Sequence, residues 1–440
     1  MQNIISQLTH KRVLSVAIPI VLSNSTIPIL GAVDTAVVGQ LGEAVPIGAV
    51  GIGAIIITAI YWLFGFLRMG TTGLTAQAIG AGDKSETSAL LVRALIIGFG
   101  SGLFFIAVQM PLFWGALQLA PASLEVEGLA QKYLHIRVYS APAAIALFGI
   151  SGWLIAKEKT RAVLWLQLWI NGINISLDFL FVLHLGWGVE GVAIATLIAE
   201  WSGLGFGLWI AREGFNKGYW RNWVQIFDRS RLLKMAKVNS DIMIRSILLE
   251  IGFVSFLFLG SSFDDATLAA NQVLLQFLNI TAYALDGFAF AAEALVGQAL
   301  GAKNRALFRK SAVMTSQWGV GSVVLMALAF FVFGDNIIHL MTTAEDVRAV
   351  SHEYLPWMIL APLVGVAAWM LDGIFIGATR TADMRNMMFI SFGIYLIALM
   401  VLLPIYGNHG LWASLIIFSI ARGVTLGVKY PRLEASADIE

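Results

Sequence analysis

Residues 75–84 read TAQAIGAGDK and residues 296–305 read VGQALGAKNR. Gln77, Gly80 and Ala81 therefore recur as Gln298, Gly301 and Ala302 at a constant offset of 221 residues in a chain of 440. Working outward, KYLHIRVYSAP ending at Pro142 pairs with EYLPWMILAP ending at Pro362, and SGWLIA at 151–156 pairs with DGIFIG at 372–377. WGVEGVAIA at 187–195 pairs with YGNHGLWAS at 406–414, at an offset of 219. One such match is unremarkable, but several in the same order mark a chain built from two related halves.

The composition says where those halves reside. Apolar residues make up 58% of the chain and charged residues only 12%, against about 25% charged in a soluble domain. Mean hydropathy is +0.80. A β-barrel would show short alternating segments, so this is an all-α polytopic membrane protein. Spans are predicted near 13–38, 45–70, 88–112, 130–156, 162–184 and 188–212, and again near 237–260, 267–297, 309–333, 350–378, 386–405 and 408–429. The second and eighth are expected to run on as longer helices. With six spans in each half, both halves have the same topology. The expected architecture is twelve transmembrane helices in two six-helix bundles, related by a pseudo-two-fold axis along the membrane normal.

Basic residues orient this layout, because cytoplasmic loops are enriched in Lys and Arg. Lys11 and Arg12 precede the first span, and the even-numbered loops hold Lys84, Lys157, Lys159, Arg161, Lys303, Lys310, Arg380 and Arg385. The odd-numbered loops carry almost none beyond Lys132, Arg137 and Arg348. Both termini are thus expected in the cytoplasm. The polar, Trp-rich stretch 213–236 divides an N-terminal lobe, 1–212, from a C-terminal lobe, 237–440, and reads as a linker with an amphipathic segment on the inner leaflet. The apolar start has no signal-peptide cleavage pattern. Cys is absent, which excludes disulfides and thiolate chemistry. HExxH and GxSxG are missing too, so no enzyme, cofactor or nucleic-acid partner is expected.

The polar residues inside the spans carry the function. Asp34 has no basic residue nearer than Arg12 and Arg68, and an ionised acid at mid-bilayer costs at least about 2.5–3.5 kcal/mol. It lies about 33 Å along its helix from Arg12, and Asp178 lies about 25 Å from Arg161. Both acids fall in the outer half of the membrane. Asn174 and Asp178 are four residues apart and share a helix face, and Thr196 in the sixth span can supply a hydroxyl. Desolvation and a like-charged neighbour favour the protonated acid, so Asp34 and Asp178 could share a transferable proton. A second constellation, Glu250 with Asp372, offers the hard oxygen ligands that suit Na⁺. Asp241 and Arg245, four apart, read as a structural ion pair. The histidines lack metal-ligand spacing. Arg68 and Arg245 are the cations expected inside spans, too few for the cationic cavity that a lipid-linked precursor flippase would need.

The stretches LRMGTTGLTAQAIGAGDK at 67–84, NSDIMIRS at 239–246, TAYALDGFAFAAEA at 281–294 and LDGIFIGATRTADMRN at 371–386, with the duplicated motif and the linker, resemble the multidrug and toxic compound extrusion (MATE) family. The similarity is greatest to its DinF branch. The resemblance implies a V-shaped pair of lobes in a bacterial inner membrane, working as a monomer. It implies export of amphipathic, often cationic, drug-like compounds by alternating access while H⁺, or alternatively Na⁺, flows inward. It places the proton-linked residues at Asp34, Asn174, Asp178 and Thr196, and the bend of the first helix at Pro19. Glu250 and Asp372 resemble the cation site of sodium-coupled relatives. Leu30 and Ala368 stand where some relatives carry Tyr.

Overall fold

The computed structural model describes residues 8–40, 43–119 and 122–438. In chain order the principal helices are α1 (His10–Ser25), α2 (Ile27–Gly39), α3 (Ala44–Trp62), α4 (Gly65–Gly80), α5 (Lys84–Leu119), α6 (Leu124–Arg137), α7 (Ala141–Ala156), α8 (Thr160–Asp178) and α9 (Gly188–Ile210). They continue as the short α10 (Trp223–Ile226), then α11 (Arg229–Gly260), α12 (Asp265–Gly301), α13 (Arg305–Met341), α14 (Glu345–Gly377) and α15 (Thr381–Ser436). Among the described residues, eleven helical stretches are long and apolar enough to cross a membrane. The last of them is two spans in one, because Gly407 breaks the 56-residue helix α15 with φ 55° and ψ −130°.

Helix interruptions follow local chemistry. The first span is interrupted at Thr26, just ahead of Pro28, because proline has no N–H to donate to the carbonyl four residues back. Pro19 lies inside α1, which continues through it. The eighth span is the unbroken 37-residue α12. The second, expected to be as long, is interrupted at Leu63 and Phe64.

The chain packs as two compact units. Of the described residues, the N-terminal unit comprises 22–40, 43–75, 83–119 and 122–233, and the C-terminal unit comprises 8–21, 76–82 and 234–438. In the N-terminal unit, α5 lies close against α7. A Cβ on Gly98 would meet the Ala146 backbone at 2.6 Å, one on Gly149 would meet Ala94 at 2.8 Å, and Gly102 abuts Pro142. Small residues allow such approach where lipid supplies no hydrophobic drive between helices. Leu91, Leu147, Ile150, Trp153 and Leu204 fill the space beside this seam. The linker is tied to α5: Arg93 donates to the Ile226 carbonyl at 2.8 Å and to the Gln225 carbonyl at 2.6 Å, while its other face pairs with Glu86 at 2.6 Å. Trp223, Val224 and Phe227 are left exposed on it.

In the C-terminal unit, α12 and α14 lie close against each other. Gly373 sits on the Ala289 carbonyl, Gly377 sits on Glu293, and Gly297 sits on Gly377. The duplicated motif meets its copy here: Gly80 abuts the carbonyl of Gln298, and Gly301 abuts the carbonyl of Gln77. The duplication is also written in the backbone. Gly82 (φ 75°) and Lys303 (φ 52°) occupy the left-handed region 221 residues apart, and so do Glu158 (φ 57°) and Thr379 (φ 52°). Each ends a helix in the left-handed cap that satisfies terminal carbonyls, as when Lys159 N donates to Leu154 O at 2.9 Å and Arg380 N donates to Phe375 O at 3.0 Å.

Candidate coupling site

Three helices of the N-terminal unit bring the expected residues together. Asp34 comes from α2, Asn174 and Asp178 from successive turns of α8, and Thr196 from α9. The Asn174 amide is the hub. With its oxygen toward Thr196 Oγ1 at 2.9 Å, its nitrogen donates to Asp34 Oδ1 and to Asp178 Oδ2, each at 3.1 Å. Asp34 and Asp178 thus share a single amide donor. Asn174 and Asp178 have no exposed surface, Thr196 is buried and Asp34 is half-buried. Asp178 Oδ1 is buried without a partner.

Backbone irregularity surrounds the cluster. Asp178 is the last residue of α8, and a six-residue π-helix, Phe179–His184, follows it directly. Such π turns are frequent at functional sites.

One turn along α9 from Thr196, Glu200 pairs with Arg137 through two bonds, Nη1 to Oε2 at 3.0 Å and Nη2 to Oε1 at 3.2 Å. Arg137 Nη1 also donates to Ser140 Oγ at 2.7 Å, and the Tyr61 hydroxyl donates to the Arg137 carbonyl at 3.1 Å. The assignment of Arg137 to a loop is therefore corrected: it is buried in the helical body with a bidentate partner. Only its distance from Glu200 in sequence, 63 residues, concealed this.

In the C-terminal unit Glu250 and Asp372 are not joined by any hydrogen bond among the described residues. Glu250 is exposed. Asp372 is buried, and its Oδ2 accepts from Arg422 Nη2 at 2.6 Å and from Arg245 Nη2. Asp241 does not pair with Arg245. It accepts instead from Arg385 at 2.5 Å and from Thr381 at 3.1 Å, which corrects the four-residue ion pair read from spacing. Arg422, within the span 408–429, is a further intramembrane cation beside the expected Arg68 and Arg245.

Long apolar helices in two units, with two carboxyls bridged by one buried amide within one of them, define a polytopic membrane transporter. Its family is equally plain: the chain matches MatE over residues 19–180 and 242–402 and belongs to the MATE family of multidrug efflux transporters. It is 37% identical over 433 residues to DNA damage-inducible protein F of Escherichia coli, covering 96% of this chain and 92% of that one. It is 24% identical over 425 residues to Protein DETOXIFICATION 44, chloroplastic, of Arabidopsis thaliana, covering 93% and 80%. The solved bent form of the MATE transporter VcmN of Vibrio cholerae shares the fold, with a TM-score of 0.87 at 21% identity and 98% of each chain covered.

Proposed function

We propose that this transporter exports amphipathic, often cationic, compounds across a bacterial inner membrane in exchange for protons, with the coupling proton held between Asp34 and Asp178. The observation that carries this reading is the Asn174 amide, which touches both carboxyls and Thr196 at once. An amide offers donors on one side and an acceptor on the other. Facing the carboxyls with its nitrogen, it satisfies oxygens that lack protons. Rotated by half a turn, its oxygen accepts from carboxyls that carry them, while its nitrogen donates to Thr196, whose hydroxyl already donates to the Val192 carbonyl at 3.0 Å. The same side chain thus serves both protonation states, as a site that loads and releases protons requires.

Proton loading relieves the repulsion between two desolvated acids, and alternating access follows if the two states favour different conformations of α1 and α2, with Pro19 and Pro28 weakening the ladder there. Na⁺ coupling through Glu250 and Asp372 is less well supported, because Asp372 is engaged by two guanidiniums and Glu250 stands apart from it. Both termini lie on the cytoplasmic side in this reading.

The test is transport of a fluorescent cationic dye in vesicles with pH and Na⁺ gradients imposed separately. A pH gradient alone should drive the dye, and Asp34→Asn should abolish transport in a protein that still folds. Transport driven by Na⁺ alone, with Asp34→Asn fully active, would overturn the proton assignment.

A further inference from the structure

Two arginines meet on a single carboxylate oxygen in the C-terminal unit. Arg245 from α11 and Arg422 from α15 both donate to Asp372 Oδ2 from α14. The cluster carries two positive charges against one negative. Among the described residues no further carboxylate pairs with either arginine: Asp241, one turn from Arg245, is engaged by Arg385. Each guanidinium presents a fork of N–H donors, yet among the described residues that one oxygen is the acceptor recorded for either. Nε of Arg245 and Nε of Arg422 are both buried without a partner. Buried donors left unsatisfied are costly and uncommon.

The position adds to the cost. Arg245 lies about 12 Å along its helix from Lys237, Asp372 about 12 Å from Arg380, and Arg422 about 10 Å from Lys429, so the cluster sits well inside the apolar spans. It is desolvated without being sealed, since 8% of the Arg245 side chain, 8% of Asp372 and 5% of Arg422 remain accessible. Arg422 also rides over the Phe418 ring at 5.9 Å, which holds the guanidinium plane in place.

We infer that this cluster is an anion-binding site, and that its ligand is a single oxyanion (sulfonate, carboxylate or phosphodiester) on an amphipathic molecule. One surplus charge matches a monoanion, and planar forks suit oxyanions. A pyrophosphate would bring more negative charge than the cluster can balance. The same chemistry occurs in an anionic phospholipid headgroup and in an anionic exported compound. Only the second identification rests on the export function proposed above.

Isothermal titration calorimetry with naphthalene sulfonate, on the full-length protein in neutral maltoside micelles, tests the site, with naphthyl trimethylammonium as a control of equal bulk and opposite charge. Arg422→Gln brings the cluster to zero net charge and should weaken sulfonate binding about tenfold or more. Asp372→Asn frees both guanidiniums and should tighten it, and the cation should follow neither change. Equal sulfonate affinity across wild type and both variants overturns the inference. Should Arg422→Gln fail to fold, as judged by thermal unfolding, Asp372→Asn decides alone, and absence of tightening overturns it. Phosphatidylglycerol added to phosphatidylcholine nanodiscs competes if the occupant is a lipid headgroup and leaves the titration unchanged if it is cargo. A protein that binds the sulfonate in this charge order but fails to move a cationic dye keeps the anion site and loses proton-driven dye export. The converse result loses the site alone.

Discussion

Gly80 rests on the backbone carbonyl of Gln298 so closely that no side-chain carbon fits between them. Gly301 rests in the same way on Gln77, and Gln77 Nε2 spans to the Gly377 carbonyl at 3.1 Å and to Thr379 Oγ1 at 2.9 Å. The two copies of the motif are therefore each other's packing partners. Backbone cannot yield as a flexible side chain can, so Gly80→Ala or Gly301→Ala should destabilise by about 1–3 kcal/mol through overpacking. Gly100, whose Cβ would meet nothing within 4 Å, is the control. Gly100→Ala should leave the midpoint of detergent unfolding unchanged or raise it.

Asn174→Leu keeps the volume and removes every polar contact of the hub. Hydrogen bonds to charged groups are worth about 1.5–3 kcal/mol, so proton-driven dye flux should fall roughly tenfold or more. Asn174→Gln keeps the amide on a longer arm and should retain part of the flux. Undiminished transport by Asn174→Leu would remove the amide from the coupling mechanism.

Glu200→Gln leaves the Arg137 guanidinium buried without its counter-charge. Breaking such a pair from one side costs about 3–5 kcal/mol. Exchanging both residues, as in Arg137→Met with Glu200→Gln, should recover most of that loss, and a double-mutant cycle on unfolding free energy reads the difference. Strictly additive effects would show that the pair is not coupled.

Asp264 lies between two spans and caps α12, accepting from Thr267 N at 2.7 Å and from its hydroxyl at 3.0 Å. The Thr267 backbone N–H, and then its hydroxyl, hold the Asp264 carboxyl below the usual carboxylate range. A depressed folded-state pKa gives stability that is present above the unfolded value and is lost as pH falls through the folded one. Unfolding midpoints should therefore drop for the wild type as pH falls below about 4. Asp264→Asn caps without titrating and should show a smaller drop over the same window.

Lys303 and Thr379 hold left-handed backbone that costs a side-chain-bearing residue about 1–2 kcal/mol. Lys303→Gly and Thr379→Gly each relieve that strain and should raise the thermal midpoint. Thr379→Gly also loses the bond to Gln77 and should gain less.

The sequence alone determined that this protein is helical and crosses a membrane many times, because apolar spans with few charges have no other stable environment. It determined the duplication, since a motif that packs against its own copy must keep glycine at the same place in both. It also singled out Asp34, Asn174 and Asp178 as candidates, because an intramembrane acid is costly and four-residue spacing puts an amide and an acid on one helix face, whereas the set that joins them with Thr196 is implied by the family resemblance.

Tertiary structure alone decided the partners of charge. Spacing favoured Asp241 with Arg245, but a guanidinium pairs with whatever carboxylate the packing of other helices brings within reach. Arg385 reached Asp241 across 144 residues, and Arg245 met Asp372 and Arg422 instead. Arg137 found Glu200 in the same way. Position along a span reports depth, whereas pairing depends on which face each helix turns inward. That is set by close approaches such as Gly373 on Ala289, which no single helix encodes.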